Sequence, residues 1–102
     1  MKREFRLRRA ADFTSVRELV VLIALPNPDG KTRIGVAAGR SVGKAFERNR
    51  AKRRLRAAVA AFLPGMRIGL DLILIARSAI RSADSLQIQD GIRLVLKQAG
   101  LL

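Results

Sequence analysis

Apolar and polar positions follow a strand period in three segments of the chain. Residues 19–25 form an apolar run, which predicts a strand covered on both faces or facing a ligand cleft. Residues 33–39 alternate apolar side chains with Arg, Gly and Ala, so one face of this strand leaves its backbone approachable. Residues 69–76 predict a third strand. Turn-forming residues at 26–30 predict that the first two strands form a hairpin.

Three other segments have helical spacing. Phe13 and Val16 lie three residues apart and predict a short first helix. Residues 44–63 predict a longer helix, and a third helix precedes the end of the chain. The candidate caps are Asp12 for the first helix and Ser82 or Asp84 for the third. The apolar faces of the second and third helices consist of Leu55, Val59 and Phe62, and of Ile88, Ile92, Val95, Leu96 and Ala99.

The chain is one domain with a strong positive charge. Its 102 residues are too few for two independent cores, and its 49% hydrophobic content excludes a disordered basic tail. We predict a single domain over residues 1–102, with a basic arm at 1–11. Its fold class is an α/β (α+β) two-layer sandwich, a small central sheet packed by helices in the order α-β-β-α-β-α. The net charge of +13 favours a polyanionic partner, and 16 of the 21 Lys and Arg lie in residues 1–56.

Several classes of function are excluded by composition. The chain has no His and no Cys, which excludes a Ser-His triad and a zinc finger. Its acidic residues are scattered, so no catalytic cluster and no metal site in the protein are predicted. The longest apolar stretches, 19–25 and 72–76, are too short to span a bilayer. We expect a cytoplasmic protein without a membrane partner.

The densest charged segment, residues 44–56, contains seven cations and one acid. On a helix, Arg48, Lys52 and Arg56 form a stripe, and like charges four residues apart destabilise the helix unless a polyanion lies on that face. The flanks of the stripe consist of Arg50, Arg53 and Arg54, with Asn49 among them. A merely solvated face usually mixes charges of both signs, and a nuclear-localisation signal does not require an amphipathic helix. The segment therefore favours phosphate binding.

This segment resembles the signature of the protein subunit of bacterial ribonuclease P, which reads Arg-Asn-Arg-x-Lys-Arg-x-x-Arg. It stands here at residues 48–56, after Gly-Lys-Ala-Phe at 43–46 and the strand that begins at Arg33. Arg-Leu-Arg at 6–8 and the Asp-Phe pair at 12–13 are similar to the N-terminal positions of the family. The segment 71–77 is similar to its third strand. The resemblance covers nearly the whole chain.

The resemblance implies the sandwich of the family, with a left-handed crossover into the basic helix. It implies maturation of the 5′ end of precursor tRNA, in which the RNA subunit with bound Mg²⁺ cleaves and the protein binds that RNA and the 5′ leader. Contacts with the RNA subunit are implied for Arg48, Asn49, Arg50, Lys52, Arg53, Arg54 and Arg56, extended by Arg40 and Lys44. The implied leader cleft consists of Arg6, Phe13, Arg17, Arg33 and Gly35.

The sequence departs from the family at the leader cleft. The family usually has a longer stretch before the first strand, with further aromatic residues, and Arg17 stands where an aromatic is common. The chain has no Tyr or Trp, so bases can stack only on Phe or on Arg planes. Phe13 fits the core and the cleft equally well, whereas Phe46 and Phe62 are assigned to the core.

Two other functions share the size and charge of this chain. A ribosomal or other structural RNA-binding protein would associate with ribosomal particles. A DNA-binding module would place the basic helix in a major groove, but Asn49 is its only obvious base reader, and phosphate contacts position a protein without specifying a sequence. A nuclease acting without RNA would require clustered carboxylates or a His.

Overall fold

The computed structural model describes residues 13–16, 18–66 and 69–102. This part of the chain contains a four-stranded sheet and two α-helices. The strands are β1 (Phe13–Val16), β2 (Val20–Pro26), β3 (Arg33–Ala38) and β4 (Leu70–Ala76), and the helices are α1 (Ala45–Ala60) and α2 (Ser85–Gln98). Short 3-10 helices cover Arg40–Val42, Leu63–Gly65 and Ser78–Ser82.

The strands lie in the order β1-β2-β4-β3. The β1–β2 and β2–β4 pairs are antiparallel, whereas β3 and β4 are parallel with Arg33 opposite Asp71. Parallel neighbours require a crossover, and α1 provides it between β3 and β4. The predicted two-layer sandwich is confirmed, because both helices pack against the sheet and against each other.

The core lies between the sheet and the two helices. Alternate residues of β2 and β4 are buried there, as the period of a strand with one covered face requires. The inward residues of α1 are Ala51, Leu55 and Val59, and those of α2 include Ile88, Ile92, Val95 and Leu96. Leu55 is fully buried, and burial of such a side chain contributes about 1.5–3 kcal/mol. These contacts fix which side of α1 faces solvent.

The boundaries of α1, β4 and α2 follow the predicted segments closely. The Asp84 cap is confirmed, since Asp84 Oδ1 accepts a 2.8 Å hydrogen bond from the Gln87 backbone N–H. The Gln87 side chain completes the capping box by accepting a hydrogen bond of 2.8 Å from the Asp84 N–H. The last turn of the long helix ends before Leu63–Gly65, a 3-10 turn that contains the proline.

The predicted first helix is wrong, because residues 13–16 form β1. Two apolar residues three apart fit a helix, but pairing with β2 gives this segment its backbone hydrogen bonds, with Phe13 opposite Ala24 and Val16 opposite Val21. Phe, Thr and Val are also favoured in strands. Asp12, the proposed cap, and the proposed arm at 1–11 lie outside the described residues.

The predicted hairpin between β2 and β3 is also wrong, since β4 lies between them. The chain leaves β2 toward the start of β4, where the Asn27 backbone N–H donates a 2.8 Å hydrogen bond to the Gly69 carbonyl oxygen. The apolar residues of β4 on both faces suit this central position. The hairpin that the described strands form is β1–β2.

Candidate nucleic-acid interface

Helix α1 carries six cations, which we term the basic face of α1: Arg48, Arg50, Lys52, Arg53, Arg54 and Arg56. The buried side of the helix holds Leu55 against the sheet, so the charged side chains point away from the core. Arg50, Arg53 and Arg56 are exposed, as is Asn49, and the other three cations are half-buried. The predicted residues of this helix are thus all at least partly accessible to solvent, spread around the part of α1 that is not buried. Arg40 and Lys44 lie exposed just before it.

The start of α1 is held by a tight turn at Gly43. Glu47 Oε1 accepts a hydrogen bond of 2.9 Å from the Lys44 backbone N–H, which caps the helix. Gly43 has φ of +133°, a region that favours glycine, and a Cβ there would collide with the Glu47 carboxylate. Arg48 Nη1 donates a 2.7 Å hydrogen bond to the Gly43 carbonyl oxygen. One cation of the basic face thus also fixes the turn.

The cations of the basic face differ in their partners. Arg54 Nη2 donates a hydrogen bond of 2.8 Å to the Ala83 carbonyl oxygen, so this side chain ties α1 to the segment before α2. Within the described part of the chain, no hydrogen bond or ion pair engages Arg50, Lys52, Arg53 or Arg56. Four neighbouring cations that pair with no acid in the described structure form a surface that an anion stabilises.

A groove lies beside the basic face, between the first turns of α1 and the 3-10 helix Ser78–Ser82. Its cavity has a volume of about 500 Å³. The groove is lined by Phe46, Glu47, Arg50, Ala51, Arg54, Ser78, Ile80, Arg81 and Ser82. Phe46 is 68% exposed, so its assignment to the core is wrong, whereas Phe62 packs against the core. The sequence carried a signal for this, because Phe46 precedes Arg50 by one helical turn, on the polar side of the helix.

The second face of the sheet, which we define by Val21, Ile23, Leu25, Arg33, Gly35, Ala37, Asp71, Ile73 and Ile75, lies opposite the face that the helices cover. Its side chains are exposed at Arg33 and half-buried elsewhere. Arg33 and Gly35, two of the predicted cleft residues, lie on this face. The core and the sheet therefore separate it from the basic face of α1. Phe13 pairs with Ala24, a residue of the face that the helices cover, so the register does not place Phe13 beside Arg33 and Gly35. Arg6 and Arg17 lie outside the described residues.

Arg33 is engaged by two carboxylates at the edge of the second face. Its Nε lies 2.9 Å from Asp71 Oδ1, and its Nη1 lies 3.0 Å from Asp29 Oδ2. Asn27 Nδ2 donates a further hydrogen bond of 3.0 Å to Asp71 Oδ1. The hydrogen bond from Arg33 lowers the pKa of Asp71, and the same contact raises that of Arg33. This network joins β3, β4 and the loop after β2.

Two further features of the described residues concern clusters of metal ligands and membrane-spanning helices. Among residues 13–16, 18–66 and 69–102, no group of three or more Asp or Glu is placed to hold a metal. No helix in these ranges is long and apolar enough to cross a membrane.

Comparison with known proteins gives one consistent result. The sequence profile of the family described as Ribonuclease P matches residues 1–100. A protein of Symbiobacterium thermophilum named ribonuclease P protein component is 38% identical over 111 residues, covering 100% of this chain and 96% of the relative. A protein of the same name from Chloroflexus aggregans is 41% identical, with 100% and 82% covered. The structure of Staphylococcus aureus RNase P protein superposes with a TM-score of 0.77 at 25% identity, covering 97% of this chain and 98% of that one.

Proposed function

The chain belongs to the ribonuclease P protein family, whose members are components of an endoribonuclease. From this premise we propose that it binds the RNA subunit through the basic face of α1. In the same complex it binds precursor tRNA and assists Mg²⁺-dependent removal of the 5′ leader. The RNA subunit and the Mg²⁺ that it binds carry the cleavage chemistry. The protein supplies binding and orientation.

The observation that carries this proposal is the set of unengaged cations on α1. Arg50, Lys52, Arg53 and Arg56 have no acidic partner among the described residues. Arginine forks hold phosphate oxygens bidentately, and every phosphate contact releases counterions from the RNA. Because the core side of α1 is packed on the sheet, the backbone positions of these residues are fixed before the RNA arrives, so only their side chains must be ordered on binding.

We propose the second face of the sheet as the contact for the 5′ leader. A Cβ added at Gly35 would meet no atom nearer than the Leu72 carbonyl oxygen at 3.9 Å, so packing within the fold does not require glycine there. The small residues Gly35 and Ala37 leave the backbone of β3 open to a single strand, while Ile73 and Ile75 offer apolar surface. Since Arg33 is engaged by carboxylates, we expect little net charge at this end of the face.

The test is a reconstitution with RNA subunit, precursor tRNA and Mg²⁺. Protein and RNA together should release the 5′ leader, and the nuclease-treated protein alone should release nothing. Arg53→Ala and Arg56→Ala should raise the protein concentration needed for half-maximal cleavage. Arg93→Ala, which removes an exposed cation of α2 paired with Asp90, is the matched control and should change it little. Cleavage by RNA-free protein, or equal activity of all three variants, would contradict the proposal.

A further inference from the structure

We propose that the groove between α1 and the 3-10 helix Ser78–Ser82 holds one unpaired nucleotide of the RNA subunit. Its base would stack on Phe46, and its phosphate would contact Arg50. This inference rests on the proposed function, because it names a further contact made by the same helix. It adds an aromatic residue and a second segment of the chain to a surface otherwise made of cations.

Phe46 is the first observation in favour. Its side chain is 68% exposed, whereas the apolar residues on the other side of the same helix, such as Leu55, are buried in the core. A scattered exposed apolar residue is ordinary, but this one borders a cavity lined by arginines. Aromatic rings beside cations are how proteins bind unpaired bases, since every base has a face that stacks.

The cations of the groove provide the second observation. Arg54 is tied to the Ala83 carbonyl oxygen, and Arg81 Nε lies 3.5 Å from Glu47 Oε2. Each of these two contacts joins α1 to the segment that contains or follows the 3-10 helix Ser78–Ser82. Arg50, in contrast, has no partner among the described residues. Ile80, which is buried, also lines the groove. The groove thus presents an unpaired cation beside an exposed aromatic ring.

The size and position of the groove favour RNA as its occupant. Its volume of about 500 Å³ lies within the range of ~300–1,000 Å³ that is typical of small-ligand sites. The single acid, Glu47, is already paired with Arg81, so the surroundings remain cationic. Arg50 and Arg54 belong both to the groove and to the basic face of α1, so an RNA on that face reaches the groove without a break. Only an unpaired base can insert, because paired bases are stacked within their helix.

Substitutions at position 46 test the stacking directly. Phe46→Leu keeps an apolar side chain but removes the ring, and it should weaken binding of the RNA subunit by about 5- to 150-fold. Phe46→Trp should retain the affinity. Leu86→Ala, at a residue that is 74% exposed on α2, is the matched control and should bind as the unsubstituted protein does. Chemical probing of the bound RNA should show one unpaired nucleotide that the unsubstituted protein protects and the Phe46→Leu variant does not.

Salt dependence separates the two contacts. Phe46→Leu should lower the affinity at every salt concentration without changing the log-log slope, whereas Arg50→Ala should reduce the slope by about 0.7–0.9. Melting curves of both variants should match that of the unsubstituted protein. A lower melting temperature that accounts for the lost affinity would show that Phe46 packs against the chain itself, and would overturn the inference.

The remaining outcomes distinguish this inference from the proposed function. If Phe46→Leu binds the RNA subunit normally while Arg53→Ala does not, the groove has another occupant, such as a protein, and only the inference fails. If Phe46→Leu loses affinity for precursor tRNA alone, the assignment to the RNA subunit is wrong. If the unsubstituted protein fails to bind the RNA subunit, the proposed function fails as well.

Discussion

Arg48 Nη1 donates a 2.7 Å hydrogen bond to the carbonyl oxygen of Gly43, the glycine with φ of +133° that precedes α1. The guanidinium thereby reaches back from the first turns of the helix to the turn that positions it. Arg48 therefore stabilises the entry into α1 in addition to its charge on the basic face. The exposed cations Arg53 and Arg56 have no such role in the described structure.

Arg48→Ala should lower both stability and RNA affinity. Loss of the half-buried charged hydrogen bond to Gly43 should reduce the free energy of unfolding by about 1 kcal/mol. Urea unfolding of the protein without RNA measures this effect. Arg53→Ala, on the same helix, should leave stability within about 0.5 kcal/mol of the unsubstituted value. Equal stabilities of the two variants would show that the Arg48 contact contributes nothing in solution.

Arg53→Ala and Arg56→Ala should act on RNA binding through phosphate contacts. Each lost contact should reduce the slope of log affinity against log salt by about 0.7–0.9. The helix should stay intact, since alanine is the better helix former. The measurement is binding of the RNA subunit across a salt series, with circular dichroism as the folding control. An unchanged slope in both folded variants would place the RNA on another surface.

Gly43→Ala should destabilise the protein by about 1–3 kcal/mol, because its φ is unfavourable for alanine and its Cβ collides with the Glu47 carboxylate. Glu47→Ala removes the collision but not the backbone strain. The alanine at position 43 should therefore cost less in the Glu47→Ala background than in the unsubstituted protein. Denaturant unfolding of the two single variants and the double variant measures this difference. Strictly additive losses would contradict the close approach of the two residues.

Asp71 should make stability depend on pH in the acid range. The hydrogen bond from Arg33 lowers the folded-state pKa of Asp71, whereas the unfolded carboxyl titrates at about 3.9. Its contribution is present above that unfolded value and is lost as the pH falls through the folded-state pKa. Asp71→Asn should therefore be less stable at neutral pH and show a shallower acid decline. Parallel stability profiles from pH 7 to 3 would show that the Arg33–Asp71 contact is not maintained in solution.

Gly35→Val should separate leader binding from folding. A Cβ at this position meets only the Leu72 carbonyl oxygen, at 3.9 Å, and valine favours strands, so we expect little loss of stability, which a melting curve of Gly35→Val checks. The larger side chain should block approach to the backbone of β3. Binding of precursor tRNA to the reconstituted complex should weaken several-fold, whereas binding of mature tRNA, which has no leader, should stay the same. Equal losses for both RNAs would exclude the second face as the leader contact.

Local sequence signals were sufficient for the elements that carry the basic face. The spacing of Leu55 and Val59 and the proline after Leu63 determine the position of α1, and Asp84 marks the start of α2. Each of these signals acts within a few residues of the element that it defines. The orientation of the cations follows, since the apolar side of α1 can be buried in only one way.

Signals that depend on distant pairing were misread. Residues 13–16 fit a helix until β2 is available as a hydrogen-bonding neighbour, and the turn residues after Pro26 do not indicate that β4 inserts between β2 and β3. Phe46 carried a local signal, since it lies on the polar side of α1, but the groove that it lines is completed by the 3-10 helix Ser78–Ser82, more than thirty residues away. Tertiary contacts decide such cases, and short-range patterns do not record them.

Because β4 is central in the sheet but late in the sequence, the sheet cannot be completed until most of the chain has been synthesised. Among the described strands, β3 is hydrogen-bonded only to β4, so it has no strand neighbour until Leu70–Ala76 leaves the ribosome. All six cations of α1 emerge before that strand, and α2 follows it. The nascent chain therefore contains the charged segment of α1 before the sheet beneath it has its central strand. Synthesis of residues 70–102 then supplies β4 and α2, which pack against α1, although that segment carries none of the cations of the basic face.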